Sequence, residues 1–209
     1  MNQIDPTSDE SSERVSALSS SGKPGRLAPG SVLDRTLAAA TRDVQTVTAE
    51  GAPLRRLIEG VTIRDAPTHG DERGSLVEIF DQRWGWHPAA IGSLHCFTIR
   101  PGYVKGWGLH ERHEDRYFIL LGEMELVLFD PRPNSSTYGD VCKIAMSEHH
   151  RCLVNIPTHV WHAEHNVGTK DVVVIDLPTV PYDHANPDKY RLPIDTPLIP
   201  YSFGSARGW

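Results

Sequence analysis

The sequence has little of several things, and each shortage excludes something. It holds only three cysteines, Cys96, Cys142 and Cys152, with no Cys-x-x-Cys pair, which excludes a disulfide framework and leaves three buried free thiols as the expectation. No apolar run approaches the roughly 18 to 20 residues that span a bilayer. Met1 to Gly22 is serine-rich and acidic and lacks the apolar stretch of a signal peptide. A cytoplasmic protein without a membrane partner is expected. A basic excess is also missing: 21 Lys and Arg stand against 27 Asp and Glu, a formal net charge of −6, so nothing collects the phosphates of a nucleic acid.

What is present reads as an all-β protein with appendages. Residues 1–30 are dominated by Ser, Gly, Pro and charge and cannot bury enough surface to offset ordering entropy, so a disordered tail is expected there. Behind Ser31, the residues Val32, Leu33, Leu37, Ala40 and Val44 recur near helical spacing, giving a helix and linker over 31–56. From 57 to 177 the texture changes to short runs rich in β-branched and aromatic residues, such as SLVEIF, DRYFILLGEMELVLFD, CLVNIP and DVVVIDLP, parted by turn formers. At least seven such runs indicate an antiparallel barrel or double-sheet jelly roll. The proline-rich remainder, 178–209, is expected to lie extended across that barrel.

Eleven histidines are many for 209 residues, and their clustering is the informative part. His110 and His113 lie in GLHERHED, and His159, His162 and His165 lie in PTHVWHAEHN, with His95 upstream in SLHCF. Both clusters adjoin apolar strands, so both can face one mouth of a barrel. This arrangement resembles the cupin superfamily, whose fold is a double-stranded β-helix. Its first motif is matched by His110, Asp115 and Gly122, with Gly108 where the first histidine belongs, and its second by Pro157, His162 and Asn166, with His159 where a glycine belongs. Imidazole and carboxylate on facing strands are ligands of first-row divalent ions, so one alternative is a metal-dependent enzyme holding Fe, Mn, Ni or Zn on His110, Asp115 and His162.

A closer resemblance covers about residues 57 to 203. DERGSLVEIF at Asp71 to Phe80, VKGWGLH ending at His110, FDPRPNSSTYG and NIPTHVWHAEHNVG are similar, in order, to segments of the dTDP-4-dehydrorhamnose 3,5-epimerase family. The resemblance implies a cofactor-free isomerase acting on a nucleotide-linked 4-keto-6-deoxysugar, assembled as a homodimer. It places His110 as the base that removes the proton beside the ketone, a task suited to an imidazole poised near neutral pH. The family's tyrosine donor falls near Asp176, and Tyr182 matches a second family tyrosine. Its lysine falls near Asp115 or Arg116, and its arginine before Gly-Leu-His is Trp107. Arg73, His95, Lys105, Trp107, Arg112 and His162 are the expected substrate contacts, Lys105 and Arg112 supplying charge in place of that arginine. A sugar-binding cupin without catalysis is the third reading.

Overall fold

The computed structural model describes residues 30–51 and 54–209, so the tail expected over 1–30 lies outside the described residues apart from Gly30. The chain divides into two compact units, Met1–Leu54 and Arg55–Trp209. In the first, helix α1 spans Val32–Ala39 behind a capping box, in which the Ser31 side chain accepts from the Asp34 backbone and Asp34 reaches back to the Ser31 N–H. The helix is shorter than the sequence pattern suggests, because Ala40 turns extended and the β-branched residues Thr41, Val44, Thr46, Val47 and Thr48 follow. Among the described residues no helix is long and apolar enough to cross a membrane.

The second unit is built on two five-stranded antiparallel sheets, the jelly-roll plan expected from the spacing of its strands. One sheet sets β1 (Thr62–Asp65), β9 (Cys152–Ile156), β6 (Asp115–Leu121), β11 (Val172–Asp176) and β4 (His95–Ile99) side by side. The other orders β12 (Tyr190–Arg191), β5 (Val104–Leu109), β10 (Trp161–Asn166), β7 (Glu123–Phe129) and β8 (Val141–Ser147). A separate hairpin pairs β2 (Thr68–Asp71) with β3 (Gly74–Val77).

Strand alternation decides what each sheet buries. Inward residues Tyr117, Ile119, Val154 and Val174 of one sheet meet Met124, Leu126, Leu128, Ile144 and Met146 of the other. On the outer face of the second sheet, Trp107, Val127 and Ala163 are covered by Ile199 and Phe203 of the C-terminal segment. The outer face of the first sheet buries Arg116, whose guanidinium donates to the carbonyls of Leu177 at 2.7 Å, Ala89 at 2.9 Å and Ala90 at 2.8 Å. With the Phe80 ring 5.4 Å away as well, these carbonyls make burial of the charge tolerable and stitch two loops to β6.

Two turns explain motif positions noted above. Gly122 joins β6 to β7 at φ +88°, and a Cβ there would stand 2.9 Å from the Asp171 carbonyl oxygen, so only glycine fits without strain. His159 occupies the motif's glycine position and adopts φ +62°, a left-handed conformation that a histidine holds at a cost. Two cysteines, Cys142 and Cys152, are buried as expected, and burial pushes the Cys152 thiol up to about 11. Cys96 corrects the expectation: it is exposed, on the side of β4 turned away from Phe97 and the core.

Because Trp107 is fully buried against the C-terminal segment, Trp107→Ala should lower stability by about 3–5 kcal/mol in urea unfolding. Arg73→Ala, on the exposed hairpin, should leave the unfolding midpoint unchanged.

Candidate functional site

The jelly roll brings one end of β4, β5, β6, β10 and β11 together with the C-terminal segment. Registers place Asp176 opposite both His95 and Tyr117, and His162 opposite Gly108. Inward alternation then points His95, Asp115, Tyr117, His162, Glu164 and Asp176 into the space between the sheets. The loop after β5 adds His110 and His113, and the segment after β11 adds Tyr182, Asp188 and Lys189.

The fully buried Asp115 carboxylate is the centre of a proton network. His110 Nε2 stands 3.2 Å and Tyr117 Oη 3.2 Å from its Oδ2, while His113 Nε2 stands 3.3 Å from its Oδ1. Burial alone would raise this carboxyl, but His110 and His113 beside it hold it well below the usual range. His113 also reaches Asp188 Oδ2 at 2.9 Å, and its imidazole is raised against the opposing effect of burial because it bridges two carboxylates. The Nδ1 of His110 pairs with the backbone carbonyl of Asp188, which fixes the ring and leaves Nε2 as its working nitrogen.

A second histidine–carboxylate pair faces the first. His95 Nε2 lies 3.1 Å from Asp176 Oδ2. Burial and the nearby Asp115 charge push Asp176 up to about 6, and the hydrogen bond to Asp176 raises His95 in turn. Both pairs line a cavity of about 100 Å³ together with Tyr182 and Lys189. A neighbouring cavity of about 240 Å³ is lined by Lys105, His162, Glu164, Lys189, Arg191 and Trp209. Burial drives His162 down to about 3 and Glu164 up to about 7, so His162 is neutral and Glu164 is poised between its two forms.

Seven of the expected site residues therefore line these cavities: His95, Lys105, His110, Asp115, His162, Asp176 and Tyr182. Three do not. Trp107 points to the outer face with Ala163, because its neighbour Gly108 takes the inward position opposite His162. Beyond it β5 advances three residues, Gly108 to Lys105, where β10 advances two, His162 to Glu164, and that bulge turns Lys105 inward as well. Arg73 sits on the β2–β3 hairpin, its guanidinium tied to Asp71, away from both cavities. Arg112 donates to the Asn186 carbonyl at 2.6 Å and stands 3.8 Å from Asp188, so it secures the C-terminal segment instead of lining the mouth.

Tyr117, Glu164, Asp188, Lys189 and Arg191 were not anticipated. Alternation from Asp115 would have found Tyr117, and alternation from His162 would have found Glu164. The other three come from a segment without periodicity, and no local pattern marks them.

The metal alternative meets its test in the same place. Ligand atoms of His110, Asp115 and His162 lie within 4.8 Å of one another, close enough for a facial set. Three features oppose an ion. Both Asp115 oxygens already accept from protein donors. Gly108 offers no further ligand, and a Cβ on it would lie 3.0 Å from His162 Nε2 and 3.5 Å from Lys189 Cε. The lysine stem thus runs through the space of the missing histidine, and its ammonium, which depresses His162 further, repels a cation. The residues present fit a proton network and fit a divalent ion poorly.

Comparison with known proteins agrees with the fold and narrows the chemistry. The family model described as polysaccharide biosynthesis C-terminal domain matches residues 69–190. A probable low-salt glycan biosynthesis epimerase, Agl13 of Haloferax volcanii, is 30% identical over 139 residues, covering 66% of this chain and 89% of that protein. The crystal structure of a dTDP sugar isomerase from Desulfovibrio desulfuricans G20 superposes with a TM-score of 0.66 at 23% identity, covering 72% of this chain and 94% of that one. ChmJ, a 3'-monoepimerase from Streptomyces bikiniensis solved with dTDP-quinovose, superposes with a TM-score of 0.62 at 21% identity, over 70% and 76% of the two chains. These structures share the fold.

Glu164 gives the site a measurable signature. Its carboxyl is raised from 4.5 to about 7, so the folded protein keeps a proton that the unfolded chain releases. Glu164 therefore makes stability fall as pH rises from 4.5 to 7. In Glu164→Gln this loss is gone, and the variant should gain on the wild type across that window by up to about 3 kcal/mol in pH-dependent urea unfolding.

Proposed function

The chain belongs to the polysaccharide biosynthesis C-terminal domain family, and from that premise we propose that it is a sugar epimerase acting beside the ketone of a nucleotide-linked 4-keto-6-deoxysugar. Relationship to a glycan biosynthesis epimerase and the fold of dTDP-sugar isomerases and epimerases support the reading. The observation that carries it is the meeting of two histidine–carboxylate pairs on one small cavity, His110 with Asp115 and His95 with Asp176. Inversion at carbon needs a base on one face and an acid on the other.

His110 is the base. With Nδ1–H held by the Asp188 carbonyl, the neutral ring carries its lone pair on Nε2, which takes the proton from the carbon next to the ketone while the C–H electron pair moves into the carbonyl to form an enolate; the Nε2–H so formed then donates to Asp115 Oδ2. Asp115, held as a carboxylate, stabilises the imidazolium that results. The enolate oxygen needs a cation, and Lys189 is the one lysine or arginine lining this cavity. The family's lysine falls near Asp115 or Arg116, neither of which brings a cation to this cavity, so the charge arrives instead from the C-terminal segment. The Asp176–His95 pair delivers a proton to the opposite face, since Asp176 at about 6 can both hold and release one near neutral pH. Tyr182, half-exposed at the open side of the cavity, is the second donor in reach of a bound sugar. No metal enters any step.

His110→Asn should lower exchange of the substrate α-hydrogen with solvent deuterium, followed by NMR, by about 10²- to 10⁴-fold. Asp176→Asn should keep exchange but lose inversion, because the carbanion is then reprotonated on the face it came from. Wild-type exchange rates in His110→Asn would defeat the proposal.

A further inference from the structure

The larger cavity has no part in the proton transfers, yet it adjoins the smaller one and shares His95 and Lys189 with it. Its rim is cationic. Lys105 comes from β5 and Arg191 from β12, and among the described residues neither makes an ion pair with a carboxylate. Aromatic faces hold them instead: the Lys105 ammonium stands 5.2 Å over the Phe97 ring, and the Arg191 guanidinium 4.1 Å over Trp209. A cation placed against an aromatic ring is oriented without being neutralised, so its charge stays available to a ligand.

The floor is different. His162 Nε2 and Glu164 Oε1 are both buried and neither has a hydrogen-bond partner. The Nδ1–H of His162 donates to the Val160 carbonyl at 3.3 Å, which leaves Nε2 an acceptor on the side of the ring that faces Gly108 and the Lys189 stem. Buried acceptors without donors are costly unless something brings a donor to them. Charge at the rim and acceptors on the floor fit an anion that also carries hydroxyl groups.

We propose that this cavity seats the diphosphate and neighbouring hydroxyls of a nucleotide-linked sugar, with Lys105 and Arg191 on the phosphates and His162 and Glu164 on the hydroxyls. The assignment rests on the epimerase reading for its ligand, and the two cations match the double charge of a diphosphate diester. The shared wall lets one molecule place its ketone in the small cavity and its diphosphate in the large one. The bulge in β5 makes this possible, since it turns Lys105 inward opposite Glu164. Arg73 and Arg112, both engaged elsewhere, leave the diphosphate to this pair.

Calorimetric titration of the full chain with inorganic pyrophosphate, dTDP, UDP and thymidine tests the site. Pyrophosphate and both nucleoside diphosphates should bind, with affinity falling as salt rises, and thymidine should not. Lys105→Met and Arg191→Met should each weaken pyrophosphate binding by about tenfold or more, with Arg191→Lys retaining most of it and thermal unfolding unchanged. Glu164→Leu should weaken binding of an intact sugar nucleotide while leaving pyrophosphate affinity unchanged or higher. Absence of pyrophosphate binding, or equal binding in the wild type, Lys105→Met and Arg191→Met, would overturn the proposal. Charge-dependent binding without α-hydrogen exchange would sink the epimerase reading and leave the anion site standing; exchange without charge-dependent binding would do the reverse.

Discussion

The burial of one carboxylate organises this end of the barrel. Asp115 opens β6 with its side chain wholly out of water, a position that a lone charge cannot hold. His113 and Tyr117 supply the protons that make it tenable, His110 Nε2 stands beside it, and all three come from the same stretch of chain as Asp115 itself. His113 in turn needs Asp188, and the Asp188 carboxylate accepts the backbone N–H groups of Glu111 at 3.0 Å and Arg112 at 2.8 Å. Satisfying one charge therefore binds the loop after β5 to the C-terminal segment, and that segment carries Lys189 and Arg191 into the cavities. Across the space, burial and then the same charge raise Asp176. Position and the arrival of the outside segment thus share one cause, and protonation opposite depends on it in part.

Much of this was legible in the sequence, for stated reasons. Runs of β-branched and aromatic residues between turn formers give the strands, and Gly122 marks a turn where geometry admits no Cβ. The histidine clusters fall at strand ends, so His95, His110 and His162 reach one place. Period two then fixes partners that pattern alone could have named, Tyr117 and Glu164. The misplacements have equally local causes. Trp107 was expected among the substrate contacts, but Gly108 beside it takes the inward position opposite His162, so alternation sends the indole out. Arg73 finds Asp71 two residues away, at a range where no substrate is needed to engage it. Asp188, Lys189 and Arg191 were illegible because their contacts span tens of residues and their segment has no repeating pattern to read.

Gly108 illustrates how one absence changes the chemistry of a fold. In the motif this position belongs to a metal-binding histidine, whereas here its empty side lets the Lys189 stem pass beside His162. Exchanging an imidazole for an ammonium reverses the electrostatic preference of the space, from receiving a cation to receiving an anion or a developing oxyanion. The neighbouring groups agree with the reversal. His162 is held neutral by burial, and Asp115 keeps its charge for protons instead of an ion.

The C-terminal segment then takes on two duties that depend on each other. Its apolar residues, Ile199 and Phe203, are buried against the outward Trp107, and this contact holds the segment along β5. Its polar residues, Asp188 to Arg191, extend over the edge of the same strand into the cavities. The bulge beside the indole is the feature that admits Lys105. A regular β5 running on from Gly108 would keep the tryptophan outside but turn Lys105 outward with it, leaving the lysines without a common space. Packing on one side of the strand thus follows from alternation, and charge on the other from a single added residue.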